Sequence, residues 1–342
     1  MTYGDLILRG AGAWLLNEGH PTGGLPMTQT FAFLLLPGFS MIGLMSAIEP
    51  LRVANRFRGE LYRWRLLSLD SEAVAASNGM SLNVEAGLEL PEDTQALFVV
   101  AGFEPLAHYD KRLAHWLQRR EREVKVLGAI DTGSFVLAEA GLFEQQRLTL
   151  HWEAIDAFCE RYPQLQVTQE LFEIDGRRIT SAGGTSSLDL MLGLIGRDHG
   201  EPLAVQVSEQ FVLGRIRTRQ DHQRMQIASR YDLHNKKLVR VIGEMERHCD
   251  QPLPCEELAE QVGVSVRQLE RLFRHHLNTT PSAFYLGLRL DKARQLLRQS
   301  DLSVLEVGLA CGFDSASYFS RCYRQHFAAS PSQDRHERPA PS

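Results

Sequence analysis

Two patterns of hydrophobic residues divide the chain. Up to about residue 197, short apolar runs alternate with stretches whose apolar positions recur at helical spacing. From residue 235 onward the apolar positions follow helical spacing alone. The first pattern predicts an α/β domain with a mostly parallel sheet and helices on both faces. The second predicts an all-α domain.

The individual elements of the first region are bounded by turn residues such as Pro37-Gly38 and Gly183-Gly184. The apolar runs predict strands over 31–36, 64–69, 96–100, 124–130 and 178–181. The amphipathic segments predict helices over 42–56, 112–123, 134–140 and 186–195. We expect five segments in all: a disordered extension (1–26), the α/β domain (27–200), a linker (201–234), the helical domain (235–333) and a disordered tail (334–342).

The segment 256–277 has the pattern of a helix-turn-helix. Leu258, Ala259 and Val262 form an apolar face, Gly263 permits a sharp turn, and Ser265 is a natural N-cap for the second helix. The face of that helix predicted to be buried carries Leu269, Leu272, Phe273 and His276. The outward face carries a polar stripe at helical spacing: Arg267, Glu270, Arg271 and Arg274.

The same pattern recurs about fifty residues later. A short helix over 304–310 is followed by the turn Gly312-Phe313-Asp314, which is one residue longer than the turn of the first motif. Ser315 then caps the next helix. The buried positions of the next helix are Phe319, Cys322 and Tyr323, and its outward stripe is Ser317, Ser320, Arg321 and Arg324. An amphipathic helix over 283–299 joins the two units. It could hold two recognition helices about 34 Å apart, in successive major grooves.

These motifs carry a family resemblance. Residues 235–333 resemble the DNA-binding domain of AraC/XylS regulators, most clearly over 258–273, 289–297, 310–315 and 318–327, with Pro331 following. One departure is Gly308, where the family usually has Ala. The resemblance implies base-reading roles for Arg267, Glu270, Arg271, Ser317, Ser320 and Arg321. Arg274 and Arg324 are better placed for phosphates. Arg can bind guanine O6 and N7, and Glu can accept from cytosine N4.

Motifs of the first domain resemble the class I glutamine amidotransferase-like superfamily, in the branch with intracellular proteases. They are Pro37-Gly38-Phe39, Glu49-Pro50-Leu51, residues 128–134, Leu150-His151-Trp152 and residues 180–186. Regulators that join such a domain to an AraC-type domain are called GlxA-type. In the enzymes of the superfamily the strand-to-helix elbow holds a nucleophilic Cys. Here the elbow residue is Asp131, so we interpret the domain as a non-catalytic sensor.

The residues around the elbow suggest a class of ligand. The resemblance places Glu49 and His151 near Asp131, and two carboxylates in one cavity favour a cation between them. Trp152 and Phe103 could offer aromatic faces to a quaternary ammonium group. We therefore expect a small cationic or zwitterionic nitrogen compound, such as an amino acid, an arginine-like compound or a betaine- or carnitine-like compound. The alternative is that Asp131 caps a helix and His151 is structural.

Charge and composition narrow the function classes. From Arg215 to the end there are 20 Lys and Arg against 15 Asp and Glu, whereas the rest has 17 against 27. A basic second half favours a polyanionic partner there. No apolar run is long enough to span a membrane, and we expect that residues 6–16 are not a signal peptide. The five cysteines have no CxxC spacing. A metal site near His248, Cys249 and Cys255 is conceivable, but we expect ordinary thiols, no metal and no cofactor.

Two readings of the whole chain remain. The first is a cytoplasmic DNA-binding transcription regulator, expected to be an activator, whose partners are promoter DNA, a small effector, RNA polymerase and a second copy of the chain. The second is an amidase- or deglycase-like hydrolase with a helical accessory domain. That reading needs a nucleophile at the elbow, and a carboxylate is a poor one for such chemistry.

Overall fold

The computed structural model describes residues 28–336, which fall into two compact units. Unit 1 ends at Gln223 and unit 2 begins at Arg224. The predicted extension over 1–26 lies outside the described residues, as do residues 337–342 of the predicted tail. Within the described residues no helix is both long and apolar enough to cross a membrane.

Unit 1 alternates strands and helices. In chain order its elements are β1 (Gln29–Leu35), α1 (Met41–Arg58), β2 (Tyr62–Leu67), β3 (Val74–Ala75), β4 (Ser81–Leu82), β5 (Thr94–Val100), α2 (Lys111–Glu121), β6 (Val126–Ile130), α3 (Gly133–Glu139), β7 (Arg147–Leu148), a 3-10 turn (Trp152–Ala154), α4 (Ile155–Arg161), β8 (Gln166–Val167), β9 (Phe172–Asp175), β10 (Arg178–Ser181), α5 (Ser186–His199) and α6 (Glu201–Gln210). Every strand and helix predicted for this region is present, with boundaries shifted by up to four residues.

The main sheet of unit 1 has six strands in the order β2-β1-β5-β6-β10-β9. All neighbouring pairs are parallel except β10 and β9. Consecutive residues of β1, such as Phe33 and Leu34, are equally buried although their side chains point to opposite faces. Both faces of the sheet are therefore covered, and the predicted fold class is confirmed.

The end of unit 1 differs from the predicted linker over 201–234. Helix α6 packs on α1 and α5, and its Leu203 and Val207 are fully buried. The residues after α6 also belong to unit 1 as far as Gln223, because Phe211, Leu213 and Ile216 pack against its core. The sequence indicates a helical stretch as far as about Leu213, and only the Arg- and Gln-rich residues from Arg215 onward have the composition of a linker.

Unit 2 is helical throughout its described residues. Its elements are α7 (Ile227–Arg230), α8 (Lys236–Arg247), α9 (Cys255–Gln261), α10 (Val266–Leu277), α11 (Pro281–Gln299), α12 (Val304–Ala310), α13 (Ala316–Phe327) and α14 (Pro331–His336). The predicted tail from residue 334 is wrong in its first residues. Asp334 is fully buried, because Tyr323, Arg294 and Arg298 bind its carboxylate.

Helix α11 connects the two helix-turn-helix units, α9–α10 and α12–α13. At its start, the Tyr285 hydroxyl donates to the carbonyl of His248 at 2.7 Å and accepts from the amide of Leu253 at 3.3 Å. One turn later the guanidinium of Arg289 donates to the carbonyls of Cys311 and Gly312, at 2.8 and 2.6 Å. Side chains of helix α11 thus bind the loop that precedes the first helix-turn-helix and the turn within the second helix-turn-helix.

Within unit 2, the turn of the second helix-turn-helix lies directly against the loop that precedes the first. Gly312 has a φ of 73°, and a Cβ there would be 2.7 Å from Cδ of Pro252 and 2.8 Å from the carbonyl oxygen of Asp250. The backbone of residues 249–252 therefore leaves no room for a side chain at this turn. This close approach at Gly312, together with the bonds of Tyr285 and Arg289, fixes the two helix-turn-helix motifs relative to each other. We name Gly312, Tyr285 and Arg289 the α11 clamp.

Replacing Gly312 with Ala tests this contact. Gly263 is a matched control, because its φ is also positive, at 63°, but a Cβ there would meet nothing within 4 Å. We expect Gly312→Ala to lower the free energy of unfolding of unit 2 by at least about 1 kcal/mol more than Gly263→Ala, since it adds overpacking to the same backbone strain. Hydrogen exchange of unit 2 amides in the full chain measures both losses. Equal losses would contradict the close approach.

Candidate functional site

The first candidate DNA-reading surface lies on helix α10. Ser265 and Gln268 form a capping box that satisfies two backbone amides at the start of this helix. Leu269 and Phe273 are fully buried, which turns the opposite face to solvent. The four predicted DNA-contacting residues are all exposed: Arg267, Glu270, Arg271 and Arg274. The predicted burial of His276 is wrong, because this side chain is exposed in the last turn.

Helix α13 presents the second surface in the same way. Ser315 caps the helix by accepting from the amide of Tyr318, and the predicted inward residues Phe319, Cys322 and Tyr323 are buried. Of the predicted contact residues, Ser317, Arg321 and Arg324 are exposed and Ser320 is half-buried. The guanidinium of Arg321 lies 5.4 Å from the centre of the Tyr318 ring, which is itself 44% exposed.

The two helix-turn-helix motifs of unit 2 also end alike. Asn278 follows α10 with a φ of 51°, and Ala328 follows α13 with a φ of 58°, so both helices end in the left-handed conformation. A hydroxyl cap and a proline come next in each case, Thr280-Pro281 and Ser330-Pro331. The repeat predicted from the sequence is therefore a repeat of backbone path. Two exposed helices with Arg at matching places are a suitable surface for a polyanion.

The candidate ligand site of unit 1 is built around Asp131, where β6 turns sharply into α3. Asp131 has a φ of 62°, and its amide donates to the carbonyl of Ser181 at 2.9 Å. The next residue, Thr132, donates from its hydroxyl to the carbonyl of Gly102. On the other side the Gly183 backbone touches the carboxylate, since a Cβ at Gly183 would be 2.3 Å from Asp131 Oδ2. The predicted elbow is therefore present and tightly packed.

The environment of the Asp131 carboxylate is dry but polar. Burial raises the pKa of Asp131 to about 6, against the opposing effects of His151, the Ser40 hydroxyl and the amide of Thr132. Glu153 raises this pKa further. A carboxylate with such a pKa is mostly ionised at neutral pH, at a cost that a bound cation would reduce. The Asp131 site, as we use the name, comprises Ser40, Asp131, His151, Trp152 and Glu153.

The Glu49 carboxylate is paired within its own helix. Its carboxylate accepts hydrogen bonds from Arg52, one turn along the same helix, at 2.7 to 3.1 Å. The α1 residue that faces the elbow strand is Gly43, whose Cβ would lie 3.1 Å from Ile130. Glu49 is six residues further on, about 9 Å along the helix axis. A carboxylate that does act on Asp131 is that of Glu153, which follows His151 and Trp152 in the sequence. Ligand contact by Glu49 stays a prediction.

The other predicted ligand residues differ in their exposure. His151 immediately precedes the 3-10 turn that begins at Trp152, and the two rings are 5.7 Å apart between centroids. Both side chains are half-buried, as expected at the rim of a site. Phe103 is 56% exposed and follows Gly102, the acceptor of the Thr132 hydroxyl bond. Ligand contact by these residues stays a prediction.

Cysteine chemistry is not available at the elbow. Cys159 is the only cysteine before residue 224, and it is exposed on α4. Across residues 28–336, no three His, Cys, Asp or Glu side chains are grouped so that they could hold a metal ion. The His248 ring instead bonds the carbonyl of Glu244 at 2.9 Å.

Comparison with known families assigns both units. The DJ-1/PfpI family matches residues 30–197, and a family described as a helix-turn-helix domain matches residues 258–337. A solved ThiJ/PfpI family protein from Pseudomonas syringae, 19% identical, aligns with a TM-score of 0.50 over 68% of this chain and 94% of its own. It supports the fold alone.

Curated relatives extend over both units. The chain is 69% identical to the HTH-type transcriptional regulator CdhR of Pseudomonas aeruginosa, over 90% of this chain and 92% of that protein. It is 43% identical to the HTH-type transcriptional regulator GbdR of the same species, over 91% and 85% respectively. It is 36% identical to the regulator GlxA of Rhizobium meliloti, over 89% and 94%. All three are named as transcriptional regulators.

Proposed function

The chain belongs to the AraC-type transcriptional regulators that carry a DJ-1/PfpI domain, and on this premise we propose that it is a ligand-controlled, sequence-specific activator of transcription. The observation that carries this proposal is the pair of exposed recognition helices, α10 and α13, with Arg271 and Arg321 on their outward faces. The α11 clamp holds both helices in one unit, as binding to successive major grooves requires.

We assign unit 1 a sensing role without catalysis. The elbow presents Asp131 in place of a cysteine, and a buried carboxylate beside His151 lacks the nucleophilicity for amide or thioester chemistry. The hydrolase alternative would need Asp131 to act as that nucleophile. The names of the relatives favour regulation over an enzymatic role.

The Asp131 site suits a small ligand with a positively charged nitrogen. The buried Asp131 and the half-buried Glu153 supply negative charge, and a cation beside the buried carboxylate is stabilised more strongly than in water. Trp152 and Phe103 offer ring faces for a quaternary ammonium group. His151 could donate to a carboxylate of a zwitterion. An amino acid, an arginine-like compound or a betaine- or carnitine-like compound meets these requirements.

In this proposal the cytoplasmic protein acts as a dimer on a two-part promoter site. The chain has two conformations that differ in operator affinity, and the ligand binds one of them more tightly. The size of the change in operator binding is limited by this difference in ligand affinity. The bound protein then recruits RNA polymerase. Activation, dimerisation and this recruitment belong to the proposal.

Substitution of one arginine on each recognition helix tests the DNA-binding part. We expect Arg271→Ala and Arg321→Ala each to weaken binding to the operator by about 1–3 kcal/mol and to relax base preference locally. Arg247→Ala is the matched control, because Arg247 is an exposed Arg of unit 2 that pairs with Glu244 on α8. Fluorescence anisotropy with DNA from upstream of the chain's own gene, over a range of salt concentrations, measures these changes. Unchanged binding of both variants would refute the assignment.

Calorimetric titration of the full chain tests the ligand. The panel is glycine betaine, L-carnitine and L-arginine, with succinate as an anionic comparison. We expect a member of the panel to bind, with affinity rising from pH 5 to pH 7.5, because Asp131 with a pKa of about 6 ionises over this interval and only its ionised form attracts a cation.

Isosteric variants identify the carboxylates in the same titration. Asp131→Asn should weaken binding by about tenfold or more, since it removes a buried charge partner, and Glu153→Gln should weaken binding less, because Glu153 is half-buried. Glu60→Gln should bind as the parent does, because Glu60 is an exposed residue that pairs with Arg63. Preference for succinate, or no binding by any cationic compound, would refute the ligand class.

A further inference from the structure

The segment between α6 and unit 2 is bound to unit 1 along its length. We name residues 211–223 the strap. Its first part packs Phe211, Leu213 and Ile216 on the core of unit 1. Its second part is polar and makes its own turn, in which Asp221 accepts from the Thr218 amide at 2.7 Å and from Arg215. The strap ends at Gln223, and unit 2 begins with the next residue.

The first polar anchor of the strap is Arg217. Its backbone amide donates to Asp189 Oδ1 at 3.0 Å, and its guanidinium donates twice to Asp189 Oδ2, at 2.9 and 2.6 Å. The same guanidinium donates to the Thr185 hydroxyl at 2.8 Å. Asp189 is 2% exposed, so this ion pair lies at the inner side of the strap.

The residues that Arg217 binds continue directly into the Asp131 site. Thr185 ends the turn 183–185, and the Gly183 backbone touches the Asp131 carboxylate. Two residues before Gly183, the carbonyl of Ser181 accepts from the Asp131 amide. The Ser181 hydroxyl is hydrogen-bonded to the hydroxyls of Ser186 and Ser187 at the start of α5. A movement of the Asp131 side chain therefore acts on the same turn that holds the first anchor.

The second anchor is Gln223 at the other end of the strap. Its side-chain amide donates to the Thr149 hydroxyl, the Leu150 carbonyl and the Glu170 carbonyl, at 3.0, 3.1 and 2.9 Å. Leu150 immediately precedes His151 of the Asp131 site. Between the two anchors, the Arg219 guanidinium donates to the buried Glu173 carboxylate at 3.1 Å. Both ends of the strap thus contact segments that line the same site.

The first anchor responds to the position of its partners in unit 1. Burial raises the pKa of Asp189 despite the hydrogen bonds and the charge of Arg217, so the desolvation of this carboxylate outweighs its pairing. A buried ion pair of this kind contributes little net stability while remaining sensitive to its geometry. Separating the pair would leave the buried Asp189 carboxylate without its counter-charge, so Arg217 follows small shifts of Asp189 and of the turn residue Thr185.

We propose that the strap transmits occupancy of the Asp131 site to the DNA-binding unit, through Arg217 at the turn 183–185 and Gln223 at the segment 149–150. This inference rests on the proposed function for the identity of the two sites. Ligand contact moves the two lining segments, the anchors loosen or tighten, and the chain that leads into unit 2 becomes more or less constrained. Neither anchor contacts ligand or DNA in this scheme; both are positioning residues.

A measurement without ligand tests the link from site to strap. Hydrogen exchange of the full chain is compared between the parent, Asp131→Asn and Arg63→Ala, a control that breaks an exposed Arg–Glu pair of unit 1. We expect Asp131→Asn to change exchange in peptides covering 215–223 by about fivefold or more, and Arg63→Ala to leave them unchanged. If exchange changes at 183–185 but not in the strap, the inference is overturned and the proposed function is untouched.

Anchor variants test the link from strap to DNA. Arg217→Met combined with Asp189→Asn leaves no uncompensated buried charge, and Gln223→Met is a second, nearly isosteric variant. We expect both to bind operator as the parent does, whereas the change in operator affinity caused by saturating glycine betaine or L-carnitine falls by about fivefold or more. A parent-like response in both variants overturns the inference.

The two kinds of failure remain distinguishable. If the parent binds operator but neither compound changes its affinity, these two compounds are not its effectors, and the exchange comparison alone decides on the strap. If the parent does not bind operator at all, the proposed function fails, whatever the strap does.

Discussion

The relative position of the two recognition helices depends on the close approach of two backbone segments beside helix α11. The turn at Gly312 lies against residues 249–252, and Tyr285 and Arg289 bind the carbonyl groups on the two sides of this contact. Unpaired carbonyl groups at such a junction would be costly, so each hydrogen bond also favours the junction itself. A second recognition helix placed independently of the first could not match the fixed spacing of major grooves.

Unit 1 uses its sheet to create a different kind of constraint. The parallel strands β1, β5, β6 and β10 bring the segments that follow them together at one edge of the sheet. Gly102 and Gly183 in these segments allow close contacts that a side chain would prevent. The result is a carboxylate held away from water at the place where related folds carry out chemistry. In the proposed function, this buried carboxylate is what lets a domain of an enzyme-like fold serve as a sensor.

The sequence predicts most of this arrangement but not all of it. Periodicity and caps were sufficient for the helix-turn-helix repeat, since exposure of Arg271 and Arg321 follows from helical spacing. Strand β9 was missed because Glu173, a fully buried charge, interrupts its apolar run. Glu49 was placed in the site by family resemblance, whereas helix geometry puts it about 9 Å beyond Gly43. The strap and Asp334 were assigned to linker and tail because both form ion pairs with distant residues, Arg217 with Asp189 and Asp334 with Arg298, which composition does not reveal.

Hydroxyl-radical footprinting on the DNA upstream of the chain's own gene tests the central claim most directly. If both recognition helices enter the duplex as a fixed pair, each bound chain protects two patches on one face of the DNA, about 10–10.5 base pairs apart. A single protected patch per chain, or two patches whose spacing varies between sites, would contradict the rigid pairing of α10 and α13.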